Sequence, residues 1–167
     1  METDNKLLND AYRIAAGDIV GNIVYYQNGL LTEEKPCMIA GLDYNTPWTR
    51  DTAINIWNAL SILSPEVSKN TLLAVLEEEE GNIYIGGQYW DSIIWMIGAR
   101  EYCRFHKDDN FYRLAFKAGR NSVHRLEEDE FDEEDGLFRG PAVYGDGIAA
   151  YPDKYSKCPN QGSGILE

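Results

Sequence analysis

The sequence predicts an all-α fold of helical hairpins in which amphipathic outer helices alternate with mostly apolar inner ones. Three observations carry this. Apolar residues recur every three or four positions over most of the chain, Gly, Pro, Asn or Asp bounds each such stretch, and one-faced stretches alternate with stretches apolar on most sides. The chain has 167 residues, is 44% hydrophobic and 12% aromatic, and includes 4 Trp and 11 Tyr, which excludes intrinsic disorder and suits one compact domain over residues 1–167 or a piece of a larger one.

The first helix is read over Leu7 to Tyr26, where Leu8, Ala11, Ile14, Ala15, Ile19, Ile23 and Tyr26 fall on one face. Asn28-Gly29 stops it, and loop or short extended structure leads to Asn45-Thr46-Pro47. Trp48 to Leu63 reads as a helix buried on several faces, with Ala53, Ile54, Ile56, Trp57, Ala59, Leu60 and Leu63. Ser64-Pro65 breaks it and starts another, since proline is tolerated in a first helical turn; Leu72, Leu73, Val75 and Leu76 carry that helix to an exposed end at Glu77–Glu80. Gly81, Gly86 and Gly87 form a loop before an apolar helix from Trp90 to Phe105. Asp108-Asp109-Asn110 caps the last amphipathic helix, Phe111 to Leu126, and the acidic run Glu127 to Asp135 reads as its solvated end. No residue set recurs at the roughly 33- or 34-residue period of solenoid repeats.

Twenty-eight acidic against 15 basic residues leave a net charge of −13, a sign that repels phosphate backbones and anionic lipid surfaces, so neither nucleic acid nor membrane is an expected partner. No apolar run approaches the roughly 20 residues of a membrane helix, and Met-Glu-Thr-Asp-Asn-Lys is no signal peptide, so a cytoplasmic location is expected. Cys37, Cys103 and Cys158, with only His106 and His124, form no zinc or disulfide pattern; Cys103 reads as a small core residue and His124 as solvated. The acidic run lacks EF-hand spacing, and no metal or other cofactor is expected.

One feature recurs by position. An aromatic beside an aspartate stands before each inner helix: Trp48-Thr49-Arg50-Asp51, Tyr89-Trp90-Asp91 and, where a third would start, Tyr144-Gly145-Asp146. One such aspartate is most simply a helix cap. Three in succession, each with a ring next door, suit a sugar instead: carboxylates and arginine hydrogen-bond vicinal hydroxyls while aromatic faces cover the C–H faces of a pyranose. All three loops are expected at one end of a bundle.

Pro47-Trp48-Thr49-Arg50-Asp51-Thr52-Ala53 resembles the first-hairpin motif of six-hairpin glycosidases, the superfamily of glucoamylase and trehalase. Tyr89-Trp90-Asp91-Ser92 is similar to an aromatic-aspartate loop of the same superfamily, and the segment from Gly140 to Pro152 to its third-hairpin loop. The resemblance spans about Asp43 to Pro152, and its one specific motif is the first. It implies the N-terminal half of an (α/α) toroid, with the active site where the inner-helix N-termini gather. It also implies that Arg50 and Asp51 grip the terminal sugar, and that the general base lies on a late hairpin this chain lacks.

Inverting hydrolysis needs a protonated carboxyl for the leaving oxygen and a second carboxylate roughly 6.5–9.5 Å away to activate water. Asp146 is the first choice as acid, because Gly145 and Gly147 permit close backbone approach and Tyr144 and Tyr151 can withdraw it from water. Asp91 is the second choice. Asp51 beside Arg50 suits a gripping role, and Trp48, Tyr89, Trp90 and Tyr144 complete the expected sugar site. The leading expectation is an exo-acting, inverting hydrolase of an α-glucoside or related oligosaccharide. The alternatives are a noncatalytic carbohydrate-binding or regulatory helical module, and an acidic helical scaffold for protein partners. Half a toroid leaves inner faces such as those of Ile54, Trp57, Ile94 and Trp95 uncovered, so self-association or the missing C-terminal half is the expected protein partner.

Overall fold

A computed structural model describes residues 2–41, 43–87 and 91–138. The chain divides into two compact units, residues 1–119 and 120–167. The described part is mostly helical with short β-hairpins. Its elements run α1 (Lys6–Gly21), β1 (Ile23–Tyr26), β2 (Lys35–Met38), α2 (Thr49–Asn55), a π-helical segment (Ile56–Leu60), α3 (Ser61–Leu63), α4 (Pro65–Ala74), β3 (Leu76–Glu79), β4 (Asn82–Ile85), α5 (Asp91–Phe105), α6 (Asp109–Glu130), β5 (Phe131–Asp132) and β6 (Leu137–Phe138).

The first helix ends five residues before Tyr26. Asn5 caps its start by accepting from the Leu8 amide, and the β-branched and aromatic Ile23–Tyr26 then pairs antiparallel with Lys35–Met38, Ile23 opposite Met38 and Tyr26 opposite Lys35. No residue of α1 is buried, and Leu7, Ile14 and Val20 stand largely in solvent. Its amphipathic face is therefore present but uncovered among the described residues, apart from Ile19, which packs partly against the core.

In the first unit the two inner helices pack on one another as their apolar character predicts. A Cβ added to Gly98 of α5 would lie 2.8 Å from the Ala53 Cα of α2, so only glycine lets the two backbones come this close. Ile56, Leu60, Leu72, Leu76, Trp95, Ala99, Tyr102, Phe111 and Ala118 form the core. A π-helical segment interrupts helix 48–63; Ile54 and Trp57, expected to be uncovered, are exposed, and so are Ile62 and Leu63. Trp95, expected on an open face, is instead fully buried.

The C-terminus of α4 explains where the next prediction fails. A helix end leaves orphan carbonyls. Here Leu72 O accepts from Trp95 Nε1 at 3.3 Å, Leu73 O from the Leu30 amide at 3.1 Å, and Ala74 O from Asn28 Nδ2 at 3.3 Å. Gly29, at φ +60°, lies so close to the Leu73, Ala74 and Leu76 carbonyl oxygens that a Cβ there would sit within 2.7 Å of each. With its end taken up, the helix stops at Ala74 and the glutamate run becomes strand: Leu76–Glu79 pairs with Asn82–Ile85 around Glu80-Gly81, both at positive φ as a tight two-residue hairpin demands.

Helix α6 starts as predicted. Asp108 Oδ1 accepts from the Phe111 amide at 3.0 Å and its Oδ2 meets Lys69 Nζ at 2.6 Å; these contacts, the lysine first, hold its carboxyl below the ordinary aspartate value. Asp108→Ala is expected to lose about 1 kcal/mol of stability at neutral pH. Because the folded value is lowered, this contribution is complete above the ordinary aspartate pKa and fades as pH falls through the folded one, so the gap between wild type and variant in urea midpoint should shrink in acid. A gap that holds constant into acid would exclude the ionic part of this cap.

In the second unit the acidic run is only partly a helix end. Phe131–Asp132 pairs with Leu137–Phe138, the two phenylalanine rings lying 5.1 Å apart, and Asp132 Oδ1 accepts from the Glu134 and Asp135 amides to shape the turn. His124 is exposed, with Nδ1 3.3 Å from Glu127 Oε2.

Candidate functional site

Two of the three aspartate loops can be compared, because Asp51 and Asp91 lie in described helices; Tyr89, Trp90, Tyr144 and Asp146 lie outside the described residues. Trp48 is the extended residue before α2, and its ring meets Tyr44 edge-on at 5.2 Å while 40% of the residue stays exposed. Arg50 and Asp51 occupy the first turn of α2, and Asp91 opens α5.

The Arg50 guanidinium reaches across to the second helix rather than to its neighbour Asp51. Its Nη1 lies 2.8 Å from Asp91 Oδ1, joining residues 41 positions apart, with the arginine side chain 21% and the aspartate 9% exposed. This is a charge-assisted contact at the usual length. Asp51 is half-buried and makes no ion pair with any described residue. The corner thus presents an exposed indole, a guanidinium anchored on a buried carboxylate, and a further carboxylate one turn from the ring.

Residues that sequence reasoning passed over hold this corner. Thr49 Oγ1 donates to the Gly86 carbonyl at 2.8 Å, both groups buried. Gly87 adopts φ +110° and packs so tightly that a Cβ would stand 2.9 Å from both Asp91 Oδ2 and Thr49 Oγ1. The glycine pair, read only as a loop, was the available signal; Thr49 had none.

Other reactive groups are disposed structurally. Burial pushes the Cys37 thiol up to about 11 and raises that of Cys103, so neither is a poised nucleophile. At the far end of α5 a His106 ring nitrogen bonds the Ser61 carbonyl and the ring packs on Tyr102 at 4.9 Å. Among the described residues no three or more His, Cys, Asp or Glu side chains gather where a metal ion could sit, and no helix is long and apolar enough to cross a membrane. The chain matches no protein-family model, no curated protein and no solved structure.

Proposed function

We propose that Trp48, Arg50, Asp51 and Asp91 form the sugar-gripping corner of a six-hairpin glycosidase, with α2 and α5 as the first two inner helices of an (α/α) toroid. The observation that carries this is the Arg50–Asp91 pair, which joins two aromatic-aspartate loops that are remote in sequence. A guanidinium anchored on a carboxylate is a hydrogen-bonding group for vicinal hydroxyls, the indole covers a pyranose face, and Asp51 accepts from a third hydroxyl. In this reading Tyr89, Trp90 and Tyr144 extend the aromatic lining and Asp146 is the proton donor of an inverting, exo-acting cleavage of an α-glucoside in the cytoplasm. Asp91, engaged by Arg50, acts as a positioning carboxylate.

That engagement favours the noncatalytic sugar-binding module as the second reading. The buried carboxylates among the described residues, Asp91 and Glu101, are both paired, the latter with Arg104 at 2.9 Å. Maltose titration separates both readings from a helical scaffold. Binding should quench Trp48 fluorescence, and Arg50→Ala should weaken it by at least tenfold, since each charge-assisted hydrogen bond is worth about 1.5–3 kcal/mol. A wild-type chain that binds no maltose, or an Arg50→Ala chain that binds equally well, would remove the sugar reading. Turnover abolished by Asp146→Asn but partly rescued with a glucosyl fluoride, which needs little protonation to leave, selects the hydrolase over the module.

A further inference from the structure

Gly86 and Gly87 are held against the start of α2 and the end of α4. Gly86 donates its amide to Val75 O at 2.9 Å and its carbonyl accepts from Thr49 Oγ1 at 2.8 Å, so the residue is clamped between the end of α4 and the beginning of α2. A Cβ on Gly86 would lie 2.8 Å from Val75 O, and one on Gly87 would strike both Thr49 Oγ1 and Asp91 Oδ2 at 2.9 Å. The φ of +110° at Gly87 excludes other residues independently of space. One residue beyond Thr49, Arg50 crosses to Asp91.

From this we infer that Thr49 is a positioning residue for the Arg50–Asp91 pair, acting through Gly86 and Gly87. Its hydroxyl is buried, so the bond to the Gly86 carbonyl has little competition from water, and losing it leaves that carbonyl without this donor. The side chain that ties the loop to α2 is the neighbour of the one that grips Asp91, and Gly87 lies in van der Waals reach of both Thr49 and Asp91. A shift of Gly87 therefore disturbs the carboxylate that the guanidinium needs. The inference concerns the geometry of the pair; only its ligand consequence rests on the sugar reading.

Thr49→Val keeps the shape and removes the hydroxyl, while Thr49→Ser keeps the hydroxyl. In a ¹⁵N-labelled chain, solvent exchange of the Arg50 guanidinium protons should rise about tenfold in Thr49→Val, the scale of one lost hydrogen bond. It should return to the wild-type rate in Thr49→Ser. An unchanged rate in Thr49→Val, or a serine variant as fast as the valine one, would overturn the assignment. Should the valine variant fail to fold, the link can be read in reverse, because coupling is reciprocal. Arg50→Gln should then speed exchange of the Gly86 amide by about tenfold, and an unchanged amide would equally overturn it. Maltose affinity, where the wild type shows it, should fall in Thr49→Val and recover in Thr49→Ser. A wild-type chain blind to maltose would end the sugar reading while both exchange experiments still decide the role of Thr49.

Discussion

Trp95→Ala is expected to destabilise the chain by about 4 kcal/mol, near the middle of the range for emptying a fully buried large aromatic position. The side chain has no exposed surface and its ring lies 6.4 Å from that of Phe111, so truncation opens a void between α5, α4 and α6. It also removes the Nε1 donor from Leu72 O, an orphan carbonyl in the last turn of α4. Trp95→Phe separates the two contributions. It keeps most of the volume and loses the donor, so about 1–3 kcal/mol should go with the unsatisfied carbonyl and the residual gap. Urea unfolding of the three chains at constant m value measures both; a loss under 1 kcal/mol for alanine would mean that the region closes over the void.

Trp95 also marks how far local pattern reaches. The long apolar stretch from Trp90 to Phe105 after a glycine loop makes the helix legible, as local pattern does for Thr49–Leu63, Pro65–Ala74 and Asp109–Glu130, because such pattern is a property of neighbours. Which residue of an all-apolar stretch is covered depends on the partner, and Trp95 rather than Ile93 faces the core. The three hairpins were hidden for different reasons. Ile23–Tyr26 continues the spacing of α1, so only its pairing with Lys35–Met38 reveals it as strand. Glu77–Glu79 has high helix propensity, overridden once Asn28, Leu30 and Trp95 take up the carbonyls at the end of α4 and a tight turn forms at Glu80-Gly81. Phe131–Phe138 spans a run whose charge reads as solvated surface, although Asp132 is bound into a turn.

The candidate site divides in the same way. Residue type singled out Trp48, Arg50, Asp51 and Asp91, since guanidinium, carboxylate and indole carry their chemistry in their identity. The contact between Arg50 and Asp91 crosses 41 positions and has no local signature; an arginine beside an aspartate in sequence suggests the neighbour, and helix packing selected the distant partner. Gly98 shows why, because the close approach of α5 to Ala53 is what brings Asp91 within reach of the first turn of α2.

Arg50→Ala should therefore lower stability by about 3 kcal/mol, as well as weakening ligand affinity, because it removes the guanidinium that pairs with the buried Asp91 carboxylate. Asp91 is 6% exposed, whereas the arginine side chain retains 21%, which places the expected loss at the lower end of the range for broken buried pairs. The pair itself is a different quantity. Replacing both partners removes the buried charge as well, so Arg50→Ala combined with Asp91→Asn should be more stable than Arg50→Ala alone by about 1–2 kcal/mol, even though it carries one more substitution. Denaturant unfolding of the four chains in this cycle reads the coupling directly. Losses that simply add would mean that the guanidinium and carboxylate contribute independently. Arg50 would then act on a ligand independently of Asp91, and the second aromatic-aspartate loop would lose its place in the site.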